Sequence, residues 1–217
     1  DEALMERFFE NMELSQEDTM LGLRKGITEG TVVPVVCCSG LTRVGIAKLL
    51  DNLIDLMPSP AGQVLKGVNP KTGDAETRTC AEDQPFSARV FKTVADPYVG
   101  KLSLVKVTSG VLAPETALYN ANAEKAEKAG GIYIQRGKKQ TQATKVVAGD
   151  ICALAKLQTV ATGNTLCDPS KPVKFEDLDF PKPCISMAVY AKKAGEEDKI
   201  FSGLNRLMEE DPTIRVE

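Results

Sequence analysis
The hydrophobic period of this chain changes from helical to strand-like near residue 86, and that switch restricts the fold more than any other feature. From Phe86 onward, Phe86, Ala88 and Val90 alternate with Ser87 and Arg89. A two-residue period is the mark of a strand with one buried and one solvated face. Leu102 and Leu104, then Val105 and Val107, alternate too, with a one-residue slip between the pairs that predicts a β-bulge. Further short strands are expected at Thr116–Tyr119, Ile132–Arg136, Lys145–Val147, Ile151–Leu157 and Thr165–Cys167, many of them separated by glycine-bearing turns. Several short strands with regular turns argue for a closed antiparallel β-barrel over residues 85–178.

Residues 1–60 read differently. Leu4, Met5, Phe8, Phe9 and Met12 recur at helical spacing, and Ser15 with Asp18 forms a capping box that starts a second helix through Leu23. Val32–Cys38 is a continuous apolar run, which suits a strand buried on both faces of a parallel sheet. Ile46, Leu49, Leu50, Leu53, Ile54 and Met57 then make an amphipathic helix that Pro58 and Pro60 end. One strand and one helix cannot cover a sheet alone, so this stretch is expected to be the trailing edge of a larger α/β domain. Residues 61–84 read as a linker, with turn chemistry in Asn69-Pro70-Lys71-Thr72-Gly73. Residues 179–217 read as an incomplete α+β unit: a strand over Cys184–Tyr190, a helix with Ile200, Phe201, Leu204, Leu207 and Met208 on one face, and a new strand at Ile214-Arg215-Val216.

Composition narrows the chemistry. The 217 residues contain no histidine and six scattered cysteines without a CxxC, so no metal site is expected and the cysteines read as reduced, small hydrophobes. No apolar run approaches the ~20 residues of a membrane span, and the acidic, amphipathic N-terminal stretch is no signal peptide, so a membrane partner is not expected. The phosphate-binding loop GxxxxGK[ST] is missing, and no carboxylate pair is set up for acid–base work, so no catalytic residue is assigned.

The net charge of −3 gives no bulk attraction to nucleic acid, and DNA is not expected as a partner. One stretch departs from that balance. Residues 128–149 hold no acid and five bases, Lys128, Arg136, Lys138, Lys139 and Lys145. Lysine and arginine bind phosphates without regard to sequence, so this basic hairpin is a candidate RNA contact. The alternative is a solvated hairpin whose charges keep a strand edge soluble.

Five short signatures occur in order: Asp96-Pro97-x-x-Gly100-Lys101, Ser109-Gly110, Ala148-Gly149-Asp150-Ile151, Thr162-Gly163-x-Thr165-Leu166 and Glu210-Asp211-Pro212-Thr213. In this order and spacing the chain resembles the middle of a translational GTPase of the elongation factor G family. The resemblance implies a multidomain α/β plus β protein. Residues 1–60 would be the C-terminal part of a P-loop GTPase domain, 85–178 the translation-factor domain II β-barrel, and 179–217 an incomplete ferredoxin-like domain III. It implies a parent GTPase that uses GTP and Mg²⁺, while this piece, lacking the P-loop, needs no cofactor and has no activity of its own. It implies a ribosomal partner, contacted through small-subunit RNA by the five bases, and a cytoplasmic location. Cys38-Ser39-Gly40-Leu41 stands where the family offers backbone amides to the guanine base, so Ser39, Gly40 and Leu41 are the implied base contact, with Gly40 replacing an alanine. Tyr133–Gln140 and Ser39-Gly40 resemble the elongation factor G-like paralogues more than the housekeeping factor. A ribosome-protection or recycling GTPase is the alternative within that class, and a non-enzymatic RNA- or protein-binding barrel is the alternative outside it. The apolar helix face and incomplete sheet of residues 179–217 are expected to promote self-association.

Overall fold
The computed structural model describes residues 2–96, 100–137, 139–193 and 195–216, and divides the chain into a first unit, 1–59, and a second, 60–217.

The first unit is helical. It holds α1 (Glu2–Asn11), α2 (Gln16–Thr28) and α3 (Ile46–Leu56). Ser15 caps α2: its hydroxyl oxygen accepts the Asp18 N–H at 3.1 Å and its O–H donates to the Asp18 carboxylate at 2.7 Å. Arg7 of α1 pairs with the same carboxylate. The Ser15 hydrogen bond, followed by the bond from Arg7, holds Asp18 below the usual carboxylate range. The strand expected over Val32–Cys38 does not form; Val33 is 78% and Val35 87% exposed. A strand exists only with a neighbour that takes its amide hydrogen bonds, and the described residues of this unit contain no other strand. The apolar face of α3 is likewise thinly covered: Leu56 is buried, while Leu50 and Leu53 stay exposed.

The second unit begins with a hairpin where a linker was expected. The strands β1 (Val64–Val68) and β2 (Ala75–Thr79) pair in register across the Asn69–Asp74 turn. Gly67 of β1 also faces Phe175 of a distant strand, β13 (Lys174–Phe175). A Cβ at Gly67 would lie 2.6 Å from the Lys174 carbonyl oxygen, so only glycine admits that close approach. The pairing spans about a hundred residues of chain, which a local pattern cannot reveal.

The barrel-like body follows. Its strands are β3 (Ser87–Asp96), β4 (Gly100–Ser109), β5 (Val111–Leu112), β6 (Ala117–Asn120), β7 (Lys125–Lys128), β8 (Ile132–Arg136), β9 (Lys139–Gln142), β10 (Val146–Val147), β11 (Ile151–Ala155) and β12 (Thr165–Cys167). Eight form one antiparallel sheet in the order β7-β6-β12-β3-β4-β11-β8-β9, while β10 pairs with β5. The sheet packs one main core cluster in which Val90, Val105, Leu112, Leu118, Ile132, Leu154 and Leu166 are essentially fully buried, beside a smaller cluster of Leu102, Ala153 and Ala155. The bulge is real but sits on β3. Val90 faces Val105 and Lys92 faces Leu104, so Phe91 is the extra residue opposite the slip seen on β4.

Beyond the barrel, residues 184–190 carry no strand. Ile185, Met187 and Tyr190 are each more than 80% exposed, and among the described residues no strand pairs with this segment. The helix α4 (Glu197–Glu210) forms as expected. Ile214–Val216 is irregular rather than a strand; the Ile214 N–H closes a turn on the Asp211 carbonyl. The cysteines divide: Cys80, Cys152 and Cys167 are buried in the second unit, whereas Cys37, Cys38 and Cys184 are exposed.

Candidate nucleic-acid interface
The five bases of residues 128–149 are not one patch. Lys128, at the end of β7, pairs with Glu115 at 2.7 Å. The hydrogen bond and charge of Lys128 hold the Glu115 carboxyl below its ordinary range. Lys145 pairs with Glu82 at 2.9 Å. Both partners lie outside the acid-free stretch, so counting charge along the sequence could not find them. Arg136 and Lys139 are different. They face each other across the β8–β9 hairpin, both exposed, and neither makes an ion pair among the described residues. Lys138 lies outside the described residues. The hairpin is braced on both sides of its tip: the Gln135 amide donates to the Gly137 carbonyl at 3.2 Å, and the Gln140 amide donates to the Asp96 carboxylate at 3.3 Å. The result is a braced tip with two unneutralised, adjacent cations. Like charges directly opposite on a sheet are unfavourable unless something anionic meets them.

A second basic spot is not apparent in the sequence. Arg89, Lys106 and Ile151 stand in one row across β3, β4 and β11. Beside them is a cleft of about 570 Å³ lined by Pro60, Val64, Phe91 and Ile151 among others. Phe91 is turned into this cleft by the bulge. Arg89 is held by the Glu176 carbonyl at 2.5 Å and lies 5.7 Å over the Phe175 ring, and its Nε is buried without a partner. Each basic residue is visible as the polar member of an alternating pair. Their alignment depends on the register of three strands, which no short window contains.

In the first unit, Ser39, Gly40 and Leu41 form a tight turn before α3. The Ser39 N–H donates to the Val44 carbonyl at 2.9 Å, and the Ser39 hydroxyl accepts the Thr42 N–H at 3.2 Å. Leu41 is 95% exposed. The Ser39 amide and hydroxyl are thus engaged within the turn itself, and the chain contains no glycine-rich lysine loop to hold phosphates. Among the described residues no three His, Cys, Asp or Glu side chains come together as metal ligands would. No described helix is long and apolar enough to cross a membrane.

Comparison with known proteins gives this geometry its setting. The family model described as "Elongation factor G domain 2" matches residues 85–169, the barrel. The model described as "Elongation Factor G, domain III" matches residues 180–217, the extended segment and α4. A crystal structure of a protein from Thermus thermophilus matches all of this chain with a TM-score of 0.77 and 26% identity. This chain spans 30% of the length of that protein. With two consecutive domain models matched in order and one solved structure followed along the whole chain, the protein belongs to the elongation factor G family.

Proposed function
We propose that this chain is the ribosome-binding portion of an elongation factor G-like translational GTPase, working in the cytoplasm. Its barrel docks on small-subunit ribosomal RNA through the β8–β9 hairpin, with Arg136 and Lys139, joined by the neighbouring Lys138, on phosphates. The observation that carries this reading is the exposed, mutually facing pair Arg136 and Lys139 on a braced tip, without an ion-pair partner among the described residues of a chain with net charge −3. Lys128 and Lys145 contribute less, because Glu115 and Glu82 already hold them. The barrel supplies position, not chemistry. GTP and Mg²⁺ belong to the parent's phosphate-binding loop, and Ser39, Gly40 and Leu41 serve at most as a backbone wall beside its guanine. The parent's work is translocation or a related remodelling of the ribosome, with protection and recycling as variants of the same docking.

The test separates the two pairs of bases. Binding of the chain to small ribosomal subunits is measured over a salt series for the wild type, R136E/K139E and K128E/K145E. R136E/K139E is expected to weaken binding by about tenfold or more and to reduce the salt slope by about one for each phosphate no longer bound. K128E/K145E is expected to change it by about threefold or less. Equal effects of the two double variants, or wild-type binding indifferent to salt, would remove the hairpin from the interface.

A further inference from the structure
Lys101, the Thr162–Asn164 turn and Glu210, each from a different sequence signature, meet around the end of β3. The strand β12 covers the outer edge of β3 only as far as Arg89. Beyond it, the Thr162–Asn164 turn takes over: the Val90 N–H donates to the Asn164 carbonyl at 2.9 Å and the Gly163 N–H to the Val90 carbonyl at 2.8 Å. The Thr93 and Thr162 hydroxyls share a hydrogen bond of 2.9 Å. Further out still, the Ala95 N–H donates to the carboxylate of Glu210, the last residue of α4, at 2.5 Å. A helix thus finishes the covering of a strand edge that a turn began. Lys101, Thr162, Asn205 and Met208 line a cleft of about 410 Å³ at this seam.

The placement of Glu210 is odd by local rules. The last turn of α4 carries no base, and acids there oppose the helix dipole. What the acid gains is one charge-assisted hydrogen bond to a backbone amide on the β3 edge that β12 leaves uncovered. The rest of the docking is light. No residue of α4 is fully buried, and only Leu204, Asn205 and Met208 are partly covered in its second half. A contact set against the dipole and supported by so little packing is poised to open.

We propose that Glu210 is a releasable latch that fixes the orientation of residues 197–213 on the barrel. Engaged, its carboxylate caps the β3 edge and α4 lies along the seam. Released, α4 swings away while the barrel keeps its core, because the Thr162–Asn164 turn still protects β3 up to Thr93. The latch depends on an acceptor at this position rather than on charge alone, so glutamine keeps part of it.

The test uses the whole chain and amide exchange read residue by residue. In E210A the Ala95 amide is expected to exchange at least tenfold faster, with Val105 and Leu154 unchanged. E210Q is expected to stay within about threefold of wild type. Residual dipolar couplings of α4 amides, aligned with those of the barrel in the wild type, are expected to shrink by about half in E210A. Ala95 exchange within twofold of wild type in E210A, or α4 couplings that do not change, would overturn the latch. A uniform rise of exchange across the barrel would overturn it as well, since Glu210 would then be holding the barrel together rather than positioning α4.

Discussion

At the scale of the residue, Glu127 shows how the barrel rim is held. Its carboxylate accepts the Thr159 N–H at 2.5 Å, the Thr159 hydroxyl at 2.6 Å and the Gln158 N–H at 3.1 Å. Burial pushes its pKa up, but the bonds from Thr159 and Gln158, aided by Lys101, outweigh burial and leave it below 4.5. A carboxyl whose folded pKa is depressed stabilises the fold above its unfolded pKa, and that contribution is lost as pH falls through the folded value. E127A is therefore expected to cost about 2 kcal/mol in urea unfolding at pH 7. The gap from wild type should close as the pH drops below 4.5, the ordinary value for this group. A gap that stays constant down to pH 3 would show that the loss is packing, not charge. Gly110 gives a second, independent test. Its φ is +73°, and a Cβ there would lie 2.6 Å from the Gln84 carbonyl oxygen. G110A is expected to destabilise the barrel by about 2–4 kcal/mol, combining the left-handed penalty with a backbone clash. Gly137 has φ +58° with open space around it, so G137A should cost about 1 kcal/mol. Equal costs in thermal melts would mean that the clash at Gly110 is relieved by a small shift.

At the scale of the element, legibility followed how local each pairing is. The helices were readable because their signals lie within a dozen residues: the Ser15–Asp18 cap, the Ile46–Leu56 stripe and the α4 face are all present as sequence patterns. The β8, β11 and β12 strands were readable for the same reason, since alternation and turn glycines are local. The β1–β2 hairpin was not. Its turn residues were visible, but the partner that makes it part of a sheet is β13, far along the chain. The apolar runs at 32–38 and 184–190 fail in the opposite direction. Both have strand composition, and neither finds a ladder partner among the described residues. Strand propensity measures fit to a pleated surface, and without that surface it has no structure to select. The candidate site was half legible: the tip cations stood out in the charge pattern, whereas the neutralisation of Lys128 and Lys145 and the Arg89–Lys106 row depend on contacts across the sheet.

At the scale of the whole molecule, the second unit joins a well-packed barrel to a segment whose apolar groups are largely in solvent. Ile185, Met187, Val189 and Tyr190 are 82%, 82%, 59% and 84% exposed along an extended stretch, and Phe201 of α4 is 60% exposed. The same residues 180–217 match the domain III family model, so their pattern is that of a packed domain rather than a solvated tail. An extended, apolar segment with unpaired backbone groups is a template for strand addition. Pairing with the same segment of a second copy would satisfy those groups and cover the exposed row together. The chain is therefore expected to self-associate as concentration rises, with residues 184–190 at the contact. Substituting Met187→Lys places a charge in the middle of that row without touching the barrel core, and should return the chain to a monomer. A version ending near residue 180 should be monomeric as well. Light scattering across a concentration series decides: if the wild type, M187K and the shortened chain all scatter as monomers, the exposed row finds no partner in a second copy.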